Sequence, residues 1–317
     1  MSTTLPWLVA DIGGTNARFG LVREPGARPT GVRVLPVADY PTLPDAVADY
    51  LGRLGGVRPG AACVAVAGPV DGHAYRLTNA HWTGSVEDLR LPYAVLINDF
   101  EALAASLPHL EPGDLASLGG PEPGHGVKAV LGPGTGLGVA GLVPADGGWV
   151  PVPCEGGHVT VPVTTPKELE IVRALQAQGM ARVEAEDLLS GPGLVRLRRA
   201  LAAVNGVPEP ATEPGLTAAD IVARLDDSLC AETVEVFCAM LGTFAGNVAL
   251  TLGARGGVYL GGGVLPRIVE RVRAGEFRAR FEAGPTGYLS AIATTLIVAP
   301  QPALTGAAAW LGRNLQS

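Results

Sequence analysis

Two glycine–threonine turns, Gly13-Gly14-Thr15 and Gly134-Thr135-Gly136, hold equivalent places 120 positions apart in the chain. Each lies between two apolar segments. Leu8 to Ala10 leads into the first and Arg18 to Val22 leaves it; Val127 to Leu131 leads into the second and Leu137 to Val143 leaves it. Short apolar runs bounded by glycine read as buried strands. A strand–turn–strand unit that recurs at a fixed interval predicts two related halves facing a shared cleft.

The rest of the chain supports an α/β reading. Val32 to Val37, Ala62 to Ala67 (ended by Gly68-Pro69) and Ala94 to Ile97 have strand character, and Leu43, Val47, Leu51 and Leu54 recur at helical spacing. Phe100 to Leu107 predicts the helix that follows Asn98-Asp99. Strands joined by helical crossovers indicate an α/β domain. The middle reads as helical over Pro166–Gln178, Gly191–Val204, Ala218–Leu225 and Ala231–Leu252. Val258 to Leu260 is a strand running into Gly261-Gly262-Gly263, Ala291 to Val298 a late strand, and Gly306 to Leu315 a closing helix. Segments 108–126 and 206–215 are loop-like in composition.

At 317 residues and 47% hydrophobic, the chain has material for two domains with sizeable cores. The net charge of −7 argues against nucleic acid and against an anionic membrane surface as partners. It leaves room for a small anion, because backbone N–H groups hold phosphate without lysine. The longest apolar stretches are broken by glycine or polar residues short of a membrane span. No basic segment followed by an apolar run opens the sequence, so no signal peptide is expected. Cys63, Cys154, Cys230 and Cys238 form no CxxC pair, and reduced thiols in the cytoplasm are expected.

Three glycine-rich turns, at 13–15, 132–136 and 261–263, each follow an apolar strand. Glycine permits positive φ and close backbone approach, so successive N–H groups can converge on one anion. One such turn is equally a plain hairpin turn; three of them, two related by the repeat, point to phosphate. There is no G-x-x-x-x-G-K-[ST] motif, which excludes a P-loop enzyme. Gly136, Gly138 and Gly141 match G-x-G-x-x-G but run into a strand instead of opening a helix, as a chance match would. No G-x-S-x-G marks a serine hydrolase.

Three acidic positions carry two readings each. Asp11, at the end of the first strand, suits a Mg²⁺ held through water or a turn-stabilising Asx residue. Asn98-Asp99 ends a buried strand, where polar residues face a cleft. Asp99 suits a base that accepts a hydroxyl proton in phosphoryl transfer, and equally a helix N-cap before Phe100. Glu155-Gly156-Gly157-His158 suits hydrogen bonding to sugar hydroxyls, or is a surface loop; the additional ligands of a zinc site are missing.

These segments match a known family in order and over almost the whole chain: Asp11-Ile-Gly-Gly-Thr-Asn-Ala-Arg18, Ile97-Asn-Asp-Phe100, Leu131-Gly-Pro-Gly-Thr-Gly-Leu-Gly138, Glu155-Gly-Gly-His-Val159, Leu189-Ser-Gly-Pro-Gly-Leu194 and Gly257-Val-Tyr-Leu-Gly-Gly-Gly-Val-Leu-Pro-Arg267. The chain resembles the bacterial glucokinases outside the zinc-containing repressor/kinase family, in the hexokinase, actin and heat-shock ATPase superfamily. The resemblance implies a two-domain actin-like ATPase (ribonuclease H-like) fold with a duplicated β-sheet core and an interdomain cleft. Residues 1–109 plus 300–317 would form a small α/β domain and 110–299 a large α+β domain.

It further implies ATP and Mg²⁺ as cofactors, glucose as substrate, and a homodimer. ATP would lie on Ala10, Asp11, Ile12, Gly13, Gly14 and Thr15, on Gly134, Thr135 and Gly136, and near Gly262 and Gly263. Asp99 would be the catalytic base. Asn98, Asp99, Glu155, His158 and Glu186 would contact the sugar; Glu186 stands four residues before Ser190, with Glu184 close enough to compete for the assignment. Cys154 departs from the family pattern, which has a small residue before the glutamate, and it places a thiol beside Glu155. Another hexose as substrate, polyphosphate as donor, and a sugar-sensing regulator without turnover are the competing expectations.

Overall fold

Residues Trp7–Ile12 form a strand (β1) that is buried at every position except Asp11. Its side chains alternate between two cores, as a strand's period of two requires. Leu8, Ala10 and Ile12 enter one core, and Trp7 and Val9 the other. Strand β1 is followed by β2 (Asn16–Val22), β3 (Thr30–Pro36), helix α1 (Leu43–Gly52) and β4 (Ala61–Val66). A small three-stranded sheet of β5 (Val70–Asp71), β6 (Ala74–Arg76) and β7 (Thr83–Ser85) comes next, then β8 (Ala94–Asn98) and α2 (Asp99–Ser106). The main sheet has the order β3-β2-β1-β4-β8. Strands β1, β4 and β8 are parallel, and β2 and β3 add antiparallel neighbours. A parallel centre needs cover on both faces. Helix α1 supplies Leu43, Ala46, Val47 and Tyr50 to one; the closing helix Pro302–Leu315 supplies Ala303, Leu304, Ala307 and Leu311 to the other.

This computed structural model describes residues 5–68, 70–77, 80–207, 215–284 and 287–315. The chain separates into two units: Met1–Asp114 with Leu142–Pro153 and Ala299–Ser317, and Leu115–Gly141 with Cys154–Val298. The later strands are β9 (Leu115–Gly119), β10 (Lys128–Pro133), β11 (Leu137–Ala145), β12 (Gly148–Cys154), β13 (Val258–Leu260) and β14 (Thr294–Ile297), in the order β12-β11-β10-β13-β14-β9. Without the added edge strand β9, this repeats the first sheet's order of third, second, first, fourth and fifth strands. The repeat expected from the two turns is therefore present as topology.

Helices α3 (Pro166–Ala177), α4 (Ala185–Leu188), α5 (Gly191–Val204), α6 (Ala218–Ala223), α7 (Ser228–Leu252), α8 (Val269–Ala274) and α9 (Phe277–Glu282) fill the second unit. Helix α7 corrects one expectation. It is an unbroken 25-residue helix, long and apolar enough to span a membrane by length and composition, yet 67% of its most apolar window is buried within the protein. Gly242 and Gly246 do not break it. They let the carbonyls of Phe277 and Phe281 approach where a Cβ would collide. It is the core helix of its unit, with Phe237, Met240, Leu241 and Phe244 buried.

Other differences are local. Strand β9 lies inside the stretch read as loop, pairs antiparallel with β14 across an irregular register, and is only partly buried, which leaves little hydrophobic pattern to read. Strand β10 continues to Pro133, so the second turn begins at Gly134. Strand β12, the small sheet, α4, α8 and α9 are additions to the sequence reading. Of the loop read at 206–215, residues 208–214 fall outside the described residues, as does Pro69.

Helix α2 and the closing helix meet at Gly306, where an added Cβ would overlap the Ala102 carbonyl oxygen. Gly306→Ala is therefore expected to destabilise the protein by ~1–3 kcal/mol through overpacking. Gly312→Ala on the same helix, whose Cβ would only touch Trp7 at 4.0 Å, is the near-neutral control. Thermal denaturation of both variants checks the contrast.

Candidate active site

The parallel register of the first sheet aligns three strand ends. Ile12 pairs with Val66, and Val66 with Asn98. The carboxyl ends of β1, β4 and β8 thus bring the Gly13–Thr15 turn, Gly68 and Asn98-Asp99 to one sheet edge, where open α/β sheets bind ligands. The turn is closed by the Gly13 N–H donating to the Asn16 carbonyl at 3.0 Å, and its base is fixed by the Val37 N–H donating to Thr15 O at 2.9 Å. Thr15 is exposed at the tip. Asp11 and Arg18 are cross-strand partners, and Arg18 Nη1 donates to Asp11 Oδ2 at 3.1 Å. Burial pushes the Asp11 carboxyl above its usual range, and the Arg18 charge and hydrogen bond pull it back. Among the described residues the Asp11 side chain thus bonds Arg18 and not a turn N–H, so the Asx-turn reading gives way.

Asn98, not Asp99, is the N-cap of α2: its Oδ1 accepts the Phe100 N–H at 2.8 Å, while its Nδ2 donates to Gly68 O at 3.3 Å. Asp99 is the first helical residue, with Oδ1 accepting from the Phe100 N–H at 3.0 Å. Glu101 braces this segment. Its carboxylate accepts the Asn98 backbone N–H and the Trp310 indole N–H, the latter at 3.2 Å, and burial pushes its pKa up.

In the second unit two glycine turns touch backbone to backbone. A Cβ on Gly132 would lie 2.6 Å from the Gly261 carbonyl; Gly262 has φ of +86° and its Cβ would overlap the Pro133 carbonyl. Only glycine satisfies both conditions. The Gly261 N–H donates to Leu131 O at 2.9 Å, the Gly134 N–H to Gly136 O at 2.8 Å, and the Gly191 N–H to Gly134 O at 2.7 Å. These turns and the start of α5 line a cavity of about 820 Å³, with Thr135, Gly191, Arg199, Gly263 and Arg267 on its wall. That size suits a small organic ligand. Gly134, Thr135 and Gly263 were expected there; Arg199 was not, being one of several arginines on a helical stretch with no motif to single it out.

Glu155-Gly156-Gly157-His158 forms a 3₁₀ turn lying on β11. Gly157 can sit there because it lacks the Cβ that would overlap the Leu137 carbonyl, and a Cβ on Gly156 would meet Val139 at 2.9 Å. The backbone beyond His158 pairs with the approach to α4: the Ala185 N–H donates to Val159 O at 2.8 Å and the Val161 N–H to Val183 O at 3.0 Å. This pairing puts Glu184 beside His158, with Nδ1 and Oε2 2.7 Å apart; Nε2 stands 3.9 Å from Glu155 Oε2. The Glu184 hydrogen bond raises the His158 pKa; burial opposes it, and the charges of Glu186, Glu184 and Glu155 each add a lesser upward pull. Glu186 instead faces the glycine turn, where its Oε2 accepts the Leu137 N–H at 2.7 Å and fills the space a Gly136 Cβ would need. Cys154 is exposed and its thiol donates to Val139 O at 3.3 Å; burial of the sulfur raises its pKa.

The site residues read from sequence therefore form one cluster in each unit. Ala10–Thr15, Asn98 and Asp99 share the carboxyl edge of the first sheet. Gly134–Gly136, Glu155, His158, Glu186 and Gly262–Gly263 surround the ends of β10, β11 and β13. Glu186→Ala, which leaves the Leu137 N–H without its carboxylate, is expected to cost ~1–3 kcal/mol, the worth of a hydrogen bond to a charged group. Gly262→Ala forces a non-glycine residue to positive φ against a carbonyl and is expected to cost at least as much. Urea denaturation of the two variants tests both, and an unchanged midpoint in either would remove that contact from the turn's support.

The Glucokinase family's sequence profile matches residues 8–314. A glucokinase of Saccharophagus degradans is 45% identical over 316 residues, covering 96% of this chain and 98% of that protein. Among solved structures, a glucokinase from an Antarctic psychrotroph superposes with a TM-score of 0.85 at 35% identity, covering 96% of this chain and 98% of that one. A ROK family glucokinase from Streptomyces griseus, solved with glucose and AMPPNP, gives a TM-score of 0.64 at 22% identity over 96% of this chain and 98% of that one, a likeness of fold. The fold shared with these proteins is the two-domain actin-like ATPase fold.

Proposed function

This chain belongs to the glucokinase family, and from that premise we propose how its residues divide the work of phosphorylating glucose. The observation that carries the proposal is the aligned edge of the first sheet, where a glycine–threonine turn ends β1 and the Asn98-Asp99 pair ends β8, two parallel strands on either side of β4. A turn suited to phosphate and a carboxylate suited to a hydroxyl proton are what phosphoryl transfer to a sugar needs in one place.

In this reading the 6-hydroxyl oxygen of glucose attacks the γ-phosphorus of ATP. The new O–P bond forms as the bond to the ADP oxygen breaks, and Asp99 accepts the hydroxyl proton. Asn98 holds the sugar through the side-chain capacity that its cap bond to Phe100 leaves. Glu155, His158 and Glu186 contact the other hydroxyls. Backbone N–H groups of the turns at Gly13–Thr15 and Gly134–Gly136 stabilise charge on the phosphates, the main source of catalysis in this class. Gly262 and Gly263 border the adenosine, with Arg199 and Arg267 on the same cavity wall. The AMPPNP bound by the Streptomyces griseus protein supports ATP over polyphosphate as donor.

Mg²⁺ fits the residues present. It keeps several waters and needs one or two carboxylates besides phosphate oxygens. Asp11 offers one, with Oδ2 on Arg18 and, among the described residues, Oδ1 left for a metal-bound water. When bound, the ion neutralises charge on the transferring phosphoryl group. A cytoplasmic homodimer serving the first step of glycolysis is the setting this reading adopts, on family resemblance.

Asp99→Asn is expected to lower kcat by roughly 10²- to 10⁴-fold, the usual worth of a general base, with a smaller loss of glucose affinity. Near-normal turnover would remove Asp99 from that role. Glu155→Gln and His158→Ala are expected to weaken glucose binding by about 1–3 kcal/mol each with the ATP KM unchanged. Assaying product from ATP and Mg²⁺ across glucose, mannose, fructose and amino sugars separates a glucose enzyme from a kinase of another hexose. A protein that binds sugar but forms no product would be the regulator.

A further inference from the structure

We propose that Glu184 is a positioning residue for the sugar site: its carboxylate accepts the Nδ1 proton of His158 and holds the imidazole with Nε2 toward the sugar hydroxyls. The inference rests on the reading that His158 contacts glucose. The first support is geometric. Glu184 Oε2 lies 2.7 Å from His158 Nδ1, within the range of a charge-assisted bond. An ionised carboxylate only accepts, so Nδ1 carries the proton. When the ring is neutral, Nε2 is then the bare nitrogen and accepts a hydroxyl proton from the sugar. When the ring is protonated, Nε2 donates instead.

The second support is that the pair is built into the backbone. Thr160 and Glu184 form an antiparallel bridge, and the bonds from Ala185 to Val159 and from Val161 to Val183 flank it. Glu184 also opens α4 in a reciprocal cap with Asp187, whose Oδ2 accepts the Glu184 N–H at 3.0 Å. Arg182 closes the arrangement: its Nη2 donates to the His158 carbonyl at 2.7 Å and its Nη1 stands 3.7 Å from Glu184 Oε1. The charged groups facing the imidazole are therefore Glu184 at Nδ1, Glu155 near Nε2, Glu186 at longer range, and Arg182 beyond Glu184. The His158 side chain is 54% exposed, so packing alone does not fix the ring. Loss of Glu184 would let it turn over and exchange tautomers, and only part of the population would then present the sugar-binding form.

The test compares Glu184→Ala, Glu184→Gln and His158→Ala. Glu184→Ala is expected to raise the glucose KM about tenfold, the effect of one hydrogen bond, with kcat and the ATP KM within about twofold. Glu184→Gln, whose amide oxygen still accepts from Nδ1, is expected to stay near the parent KM. In ¹⁵N-resolved spectra of the imidazole, the parent shows the Nδ1–H form and a pKa above the usual 6.5; Glu184→Gln keeps the form with a lowered pKa, and Glu184→Ala loses both. The glucose KM of the parent is expected to inflect as pH rises through that raised pKa, and the inflection to move to lower pH in Glu184→Gln. In the His158→Ala background, Glu184→Ala is expected to add nothing. If His158→Ala raises the glucose KM but Glu184→Ala changes neither that KM nor the tautomer, the positioning role is wrong. If His158→Ala itself leaves the glucose KM unchanged, the sugar-contact reading fails and this inference falls with it.

Discussion

Backbone contact between two glycine turns governs the second unit. Gly132 and Gly262 sit where any side chain would run into the Gly261 or Pro133 carbonyl, so β10 and β13 end in direct contact. From that contact the rest of the cluster follows. Gly134 and Thr135 are held at the cavity wall, Gly191 is tied to the Gly134 carbonyl at the first turn of α5, and Glu186 reaches the Leu137 N–H from α4. A side chain at Gly132 or Gly262 would force these ends apart and move three elements together. This is why the glycines carry more of the site's geometry than its charged residues do.

A chain of net charge −7 that handles anions must place its positive potential locally. It does so with backbone N–H groups in the turns and with Arg199 and Arg267 beside the cavity. Its carboxylates near the turns are engaged elsewhere: Asp11 with Arg18, and Glu186 with the Leu137 N–H. Asn98 takes the cap of α2, and Glu101 accepts the backbone N–H behind it. Glu186 and Glu101 thus support the backbone that would meet the ligand, while Asp11 is countered by Arg18, so the net negative charge does not oppose phosphate binding at those points.

Much of the architecture was legible because its signals are strong and local. Strands β1, β4, β8 and β13 are short apolar runs ended by glycine or by a polar pair, and α5 begins at the Gly191 that its sequence suggests. What stayed hidden depends on partners distant in sequence. Strand β9 is recognisable only from its pairing with β14, some 175 residues away. Asp99 is a good N-cap residue, yet Asn98 takes the cap because α2 begins one residue before Phe100, at Asp99. Glu184 and Glu186 are both acidic and two residues apart, so spacing could not separate them. The bridge from Thr160 sends Glu184 to the histidine, and the start of α4 sends Glu186 to the glycine turn. The signal that marks Glu184 is its reciprocal cap with Asp187, an acidic pair three residues apart at a helix start.

The two hairpins share a glycine–threonine tip but differ beneath it. At the repeat interval of 120 residues, Asp11 and Arg18 of the first hairpin correspond to Leu131 and Gly138 of the second. The first keeps a charge pair across its strands, which holds a carboxylate beneath the tip in an otherwise buried strand. The second has Leu131 and Gly138 at those positions, and Gly156 and Gly157 rest on Val139 and Leu137 of β11. The duplicated unit thus supplies the same phosphate-suited tip twice. The residues beneath each tip differ: a carboxylate paired with an arginine under the first, and the glycine pair of the Glu155–His158 turn seated on the strand under the second.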